Sequence, residues 1–341
     1  MNELERARKQ IDAIDAQAAA LFAQRMEAVA AVASYKAEKG LPVFDAAREE
    51  AVIRRGAERI CDPVLRSYYV LFLKRQMEIA KKYEHRLMQG QRIAYSGIEG
   101  GFSEIAARRT FPDAKRFSYS DFAATYRAVQ NGECDAAVLP IENSYAGEVG
   151  KVSDLIFFGD LYITGQTELA VVQNLVALPD AALSDIRGVI SHPQALEQCA
   201  EFIRAHGWET LAYTNTAAAA KYVSEANDPS IAAIASDETA SLFGLNILAQ
   251  GVNASQVNTT RFAVFTRALH LPDPKNNDGS DHFILVFTTR NEAGALALPL
   301  NIIGAHDFNM RNLRSRPMKD LNWSYYFFVE AEGNINTQSG Q

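Results

Sequence analysis

Between Glu3 and Lys39 there is neither a proline nor a glycine, and Ala, Glu, Gln, Arg and Lys dominate. Such a stretch has one regular solution, a single helix roughly 55 Å long at about 1.5 Å per residue. Gly40 and Pro42 end it. Apolar residues at helical spacing predict a second helix from about Ala46 to Ile60 and a third from about Pro63 to Leu87. The first part of the chain is therefore expected to be all helix. At 341 residues, the whole is longer than one core usually serves, so two or three domains are expected.

On the first helix Leu4, Ile11, Ile14, Ala18, Leu21, Val29 and Val32 share one face, a core or helix-partner seam. Arg25 and Lys36 fall near the centre of that face and Arg8 on its flank. Cations in an apolar seam are costly unless they meet anions. Internal salt bridges or snorkelling at a helix edge would satisfy them. So would a small dicarboxylate, and PVFDAAREE adds Asp45, Arg48 and Glu49 nearby.

The stretch IDAIDAQ…LFAQRMEAVAAVASYKAEKGLPVFDAAREE resembles the all-helical chorismate mutases, three-helix chains that dimerise through the long first helix and need no cofactor. The resemblance implies that Arg25, Lys36 and Glu84 serve the rearrangement of chorismate to prephenate. It also implies that Arg8, Asp45, Arg48 and Glu49 bind substrate or orient the groups that do. The third helix departs from the family's pattern, with Ala80 in place of its serine and Glu84 in place of its glutamine. Ala80 cannot donate a hydrogen bond, and Glu84 donates to an ether oxygen only when protonated. Mutase activity is thus expected to be weak at neutral pH and to rise toward acid.

From Arg92 onward short apolar runs (RIAYSG, DAAVLPI, LAVVQNLVAL, GVISHPQ, IAAIAS, RFAVFT) alternate with helical stretches (SEIAARRTF, QALEQCAEFIRAHG, TAAAAKYVSEAN), which predicts an α/β region. Four polar stretches sit at strand ends or helix starts, where α/β sheets bind ligands: YSGIEGGFS, PIENSYAGEV, SHPQALEQC and NTTRF. YSGIEGGFS lacks the spacing and acidic partner of a dinucleotide fingerprint. Ser191 reads equally as a helix N-cap, and His192, before a proline, reads as structural.

Taken together in order and spacing, GIEG, PIENS, SHPQAL, NTAAAA and TRF resemble the prephenate dehydratases. The resemblance implies two α/β lobes, like periplasmic binding proteins, with prephenate in the cleft between them. Thr260 matches the family's essential threonine and would hydrogen-bond the departing hydroxyl. Arg261 would hold a carboxylate or shape the cleft, and Asn143, Ser144, Ser191 and Gln198 would orient substrate. Glu142 either tunes the site or ties the loop. The family's usual Pro and Thr in the first motif are Ile98 and Gly101 here.

Residues 269–281 read as a linker rich in Pro, Asn and Asp. Beyond it, HFILVFTTR, NEAGALALPLNIIGAHD, NMRNLRSRPM and WSYYFFVEAEG predict strand, helix, strand, strand. Gly294, Ala295 and Leu296, with Arg314, Ser315, Arg316 and Pro317, resemble the two signatures of the phenylalanine-sensing ACT domain, with Arg314 where the motif has Glu. A whole ACT domain is β-α-β-β-α-β, so the sequence predicts an incomplete one, with weakened phenylalanine inhibition and poorer assembly.

The expected organisation is multidomain: an all-α mutase (1–88), an α/β two-lobed dehydratase (91–268), a linker (269–281) and an α+β ACT domain (282–341). The chain is thus identified with the bifunctional chorismate mutase/prephenate dehydratases. It would act on chorismate and prephenate, answer to phenylalanine, and assemble as a homodimer or higher homo-oligomer. The alternatives are a dehydratase whose mutase unit only dimerises, and a non-catalytic small-molecule sensor. Net charge of −7 argues against a broad nucleic-acid surface. Cys61, Cys134 and Cys199 lack disulfide or zinc spacing, so reduced, mostly buried thiols are expected. No cofactor or metal is implied. The charged N-terminus and the lack of a long apolar run predict a cytoplasmic protein without a membrane span.

Overall fold

The computed structural model describes residues 2–254, 257–269, 281–318 and 324–340, so most of the expected linker, 270–280, lies outside the described residues. The chain divides into two compact units, residues 1–92 with 113–115, and the remainder.

In the first unit α1 runs from Glu3 to Lys39, opened by an Asn2/Glu5 capping box and closed by Gly40 at φ +65°. Asp45 caps α2 (Ala46–Ala57), and Asp62 caps α3 (Pro63–Gln89), whose first residue is proline. The second helix ends three residues short of the expected Ile60. Both α1 and α2 pack on α3, and Ala33, Leu73, Met77 and Ala80 are buried. Most of the expected seam is not: Leu4, Ile11, Ile14 and Leu21 are each more than half exposed.

The second unit opens with β1 (Arg92–Ser96), α4 (Phe102–Thr110), β2 (Lys115–Tyr119), α5 (Phe122–Gln130), β3 (Ala136–Asn143), β4 (Gly147–Glu148), α6 (Gly150–Phe158) and β5 (Tyr162–Ala170). The chain then leaves this lobe and forms β6 (Asn174–Ala177), β7 (Gly188–Ser191), α7 (Pro193–Gln198), α8 (Ala200–His206), β8 (Glu209–Ala212), α9 (Thr216–Ala226), β9 (Ile231–Ala235), α10 (Asp237–Leu242) and β10 (Asn246–Ala249). It returns through β11 (Thr259–Thr266). Among the described residues the first lobe's sheet runs β2-β1-β3-β11-β5 with β4 paired to β3, and the second runs β10-β6-β9-β7-β8.

Each lobe has its own core. Tyr126, Val129, Leu139 and Phe265 fill the first, and Leu175, Ile186, Val189 and Ile234 part of the second. Two expectations are corrected. LAVVQNLVAL is not one strand, because Val171–Gln173 is the crossing between the lobes. QALEQCAEFIRAHG is not one helix but two, with Cys199 standing at φ −107° between them. Cys134 and Cys199 are buried, Cys61 exposed.

The last elements are β12 (His282–Thr288), α11 (Ala297–Ala305), β13 (Met310–Pro317) and β14 (Tyr325–Glu332), with strand order β12-β14-β13. The helix is shorter than NEAGALALPLNIIGAHD suggests. Side chains alternate across the sheet: Val329 and Ala331 pack with Ile303 of α11, whereas Tyr326 stacks on Phe157 of α6 at 4.2 Å. The sheet's second face therefore lies on the first lobe. Among the described residues no helix is long and apolar enough to cross a membrane.

Candidate active sites

Two segments link the lobes, Val171–Gln173 outward and, among the described residues, 250–254 and 257–258 on return. Neither lies inside a sheet there, so their polar groups must find other partners. Val171 N bonds Asn258 O at 2.7 Å, and Val252 N bonds Gln173 O at 2.8 Å. Gln173 N donates to Asn253 Oδ1 at 3.1 Å. Above this crossing lies a cleft of about 320 Å³ whose lining includes Asn143, Gln173, His192, Gln198, Thr216 and Thr260.

A chain of amides runs along the cleft floor. Gln198 Oε1 accepts from Asn258 Nδ2 at 3.0 Å and, weakly, from Gln173 Nε2 at 3.5 Å. Asn143 Nδ2 donates to Asn258 Oδ1 at 2.8 Å and to Thr260 Oγ1 at 2.9 Å. Asn143 Oδ1 in turn accepts the amides of Tyr145 and Ala146, which fixes the side chain from both ends. Because Thr260 Oγ1 accepts from Asn143, its own proton is free to point into the cleft. Asn143, Gln173, Gln198 and Asn258 are all buried, so the network is rigid and sheltered from water.

A local irregularity aims Asn143. Pairing runs Thr260↔Asn143 and Arg261↔Glu142 but then Phe262↔Pro140, so Ile141 has no partner on β11. Such a bulge accommodates Pro140 in a central strand and breaks the alternation. Ile141 and Glu142 both face α6, and Asn143 faces the cleft. On β11, ordinary alternation puts Thr260 toward the cleft and Arg261 away from it.

Several expected site residues consequently lie elsewhere. Arg261 donates to Glu142 and to Glu330, each at 2.5 Å. Burial works against its charge, and those carboxylates outweigh that effect and raise its pKa above the usual arginine value. Glu142 also receives Arg314. Ser191 is fully buried, and its hydroxyl donates to Ile234 O at 2.8 Å, so the cap of α7 is His192 instead. Burial lowers the His192 pKa. Ser144 braces the loop by donating to Val257 O and accepting from Thr259 N.

Gln173, Asn258 and Thr216 were not singled out from the sequence. A signal existed for each, since Gln173 and Asn174 interrupt an apolar run, Asn258 heads NTTRF and Thr216 stands in NTAAAA. Among the described lining residues there is no arginine or lysine. In their place, the first turns of α4 and α9 open on the cleft. Gly101, the N-cap of α4, supplies no side-chain cap, so the first amides of that helix are open to an anion.

In the helical unit, Lys36 Nζ lies 2.8 Å from Glu84 Oε1 and donates to Val43 O at 2.7 Å. Glu49 pairs with Lys81 at 2.8 Å, and Asp45 Oδ1 accepts from Arg48 N. Arg25 is half-buried, Nη1 lacks a hydrogen-bond partner, and burial lowers its pKa. Arg8 and Arg48 are exposed. Arg8 and Lys36 sit about 42 Å apart along unbroken α1 at about 1.5 Å per residue, so one chain cannot bring both to one small molecule.

In the C-terminal sheet Arg314 and Arg316 turn toward the first lobe. Arg316 pairs with Asp154 at 3.2 Å and Glu148 at 3.4 Å. Ser315 and Pro317 are exposed. Gly294 has φ +81°; Ala295 N bonds Glu292 O, and Ala297 N bonds Gly294 O.

Residues 93–269 match the family model of prephenate dehydratase, and residues 7–85 that of chorismate mutase type II. Over its full length the chain is 30% identical to the bifunctional chorismate mutase/prephenate dehydratase of Enterobacter agglomerans, 91% of which is covered. A solved prephenate dehydratase from Arthrobacter aurescens, in complex with L-Phe, is 29% identical, with TM-score 0.67 over 73% of this chain and 82% of that one. GqqA, a quorum quenching acylase, is 31% identical with the same TM-score, over 73% of this chain and 90% of its own. With both catalytic families matched in one chain and a relative matched over the whole of this chain and 91% of its own length, this protein belongs to the bifunctional chorismate mutase/prephenate dehydratases.

Proposed function

We propose that the helical unit (1–88) rearranges chorismate to prephenate, and that the interlobe cleft of residues 91–268 converts prephenate to phenylpyruvate, carbon dioxide and water in the cytoplasm. The C-terminal domain (282–341), read as an ACT domain, adjusts the second step to L-phenylalanine. The observation that carries the dehydratase reading is the amide chain ending on Thr260. The hydroxyl, held as acceptor by Asn143, donates to the ring hydroxyl of prephenate as it leaves. The electrons of the breaking C–CO₂ bond aromatise the ring, and the departing hydroxide becomes water with a proton that solvent water supplies through the Thr260 hydroxyl. The uncapped start of α4, helped by the start of α9, whose Asn215 cap takes up only the Ala218 amide, holds carboxylate charge. With no fixed cation in the described lining, the carboxylate to be lost is not stabilised in the ground state.

In the mutase, Lys36 and Arg25 bind the substrate's anionic groups, with Arg8 contributed by a second copy, as the span along α1 requires. That copy also covers the exposed seam of Leu4, Ile11, Ile14 and Leu21. Mixing Arg8→Ala with Lys36→Ala protein should restore part of the activity each lacks alone, and no recovery after subunit exchange counts against shared sites. Gly294–Leu296 with Ser315 and Pro317 form the effector site, while Arg314 and Arg316 serve the contact with the first lobe.

A second reading keeps only dehydratase activity, because Lys36 and Glu84 neutralise each other and Ala80 offers no donor. Feeding the purified protein chorismate and prephenate separately decides between them. Turnover of prephenate alone supports the second reading, and turnover of neither overturns both. Thr260→Val should abolish prephenate turnover and leave chorismate turnover intact.

A further inference from the structure

Glu142 directly precedes Asn143, and Arg261 directly follows Thr260, yet neither acidic nor basic side chain enters the cleft. The bulge at Ile141 and the alternation of β11 send both to the opposite face. There they meet two residues of the C-terminal sheet. Arg314 of β13 pairs with Glu142, Glu142 with Arg261 at 2.5 Å, and Arg261 with Glu330 of β14 at 2.5 Å. The order is plus, minus, plus, minus, with the inner pair on the catalytic strands and the outer pair on the C-terminal sheet. Glu330 is only 7% exposed at its side chain and Arg261 23%, so water screens the cluster poorly. Ile141, Ile156 and Phe328 close around it.

We propose that Glu142 and Arg261 are positioning residues through which the C-terminal sheet sets the placement of Asn143 and Thr260 for dehydration. This rests on the reading of the cleft given above. Arg261 has no role in holding substrate, because its guanidinium is on the wrong face and already holds two carboxylates. A movement of β13 or β14 instead pulls on charges one residue removed from the reacting hydroxyl. Losing Arg261 takes from buried Glu330 the cation it pairs with, and losing an outer member unbalances the row by one charge, so the strands readjust.

The test is a kinetic double-mutant cycle on the full chain with prephenate. Arg261→Gln should lower kcat by about 10²-fold, the order expected for a displacement of about 1 Å at a reacting group, with KM changed less than about threefold. Glu330→Gln, remote from the cleft, should lower kcat by about tenfold. The double variant should be no worse than Arg261→Gln alone, because both act through one contact. Arg261→Lys, able to hold one carboxylate, should recover part of the loss. Effects that multiply, or a loss confined to KM, overturn the proposal. Should Arg261→Gln not fold, Glu330→Gln and Arg314→Gln carry the test from the outer ends, and unchanged kcat in both refutes it. Thr260→Val is run alongside. If it turns over prephenate normally the reading of the cleft has failed, whereas if it is inactive while Glu330→Gln behaves as wild type only the coupling has.

Discussion

Replacing Asn143 by alanine separates the two tasks assigned to its amide. In the folded protein Nδ2 serves Asn258 Oδ1 at 2.8 Å and Thr260 Oγ1 at 2.9 Å, and Oδ1 serves the amides of Tyr145 at 3.0 Å and Ala146 at 2.8 Å. Tyr145 and Ala146 lie on an exposed loop, so water replaces Oδ1 there at little cost. Asn258 is 4% exposed, and its carbonyl loses a donor that water cannot readily replace. The expected destabilisation is about 1–3 kcal/mol, that of one buried acceptor left unpaired. For turnover, a Thr260 hydroxyl free to rotate loses its alignment with the leaving group, a cost of about 10²-fold in kcat. That corresponds to about 2.7 kcal/mol at the transition state. Asn143→Asp still accepts from both loop amides but cannot donate to Thr260, and it sets a negative charge facing a dianion, so KM should rise as well as kcat fall. Phenylpyruvate formation at saturating and limiting prephenate, with urea unfolding of each variant, measures both quantities. Asn143→Ala protein with kcat within about threefold of wild type would refute the reasoning.

Glu84→Gln should raise chorismate turnover at neutral pH by at least about tenfold, because an amide can donate to the ether oxygen where a carboxylate only accepts; a variant no faster than wild type rejects the role given to Glu84. At Gly159 a Cβ would lie 2.1 Å from Tyr126 Oη and 2.5 Å from Leu155 O, whereas at Gly304 nothing lies within 4 Å. Gly159→Ala should therefore cost about 3 kcal/mol in urea unfolding, while Gly304→Ala, inside α11, should be neutral or slightly stabilising. Burial disfavours the charged ring of His192. Its contribution to stability is present above the unfolded value of about 6.5 and is lost as pH falls through the lower folded value. Thermal midpoints from pH 7.5 to 5 should thus fall more steeply for wild type than for His192→Asn, and parallel curves would show that the ring does not titrate against folding.

Much of the local structure was legible because local chemistry writes it. The span of α1 follows from the lack of Pro and Gly between residues 3 and 39 and from the stop at Gly40. The order of strands and helices from Arg92 follows from alternating apolar runs. The motifs PIENS and TRF fall at the ends of β3 and β11 that meet the cleft, where Asn143 and Thr260 are brought together. The single long helix expected around Cys199 was not observed, and LAVVQNLVAL hid an interlobe crossing that its internal Gln-Asn pair alone could have signalled.

By itself the sequence determined which residues form helices and strands, and which motifs gather polar side chains at strand ends, since propensity, caps and turns act within a few residues. Tertiary structure alone decided where those side chains point. Asn143 bonds Asn258, 115 positions away, and Arg261 turns from the cleft toward Glu330, 69 positions on. Such choices depend on pairing between β3 and β11, on the one-residue slip at Ile141 and on the C-terminal sheet docked behind them. A side chain's face is fixed by its strand's partners and register, and no window of neighbouring residues contains those.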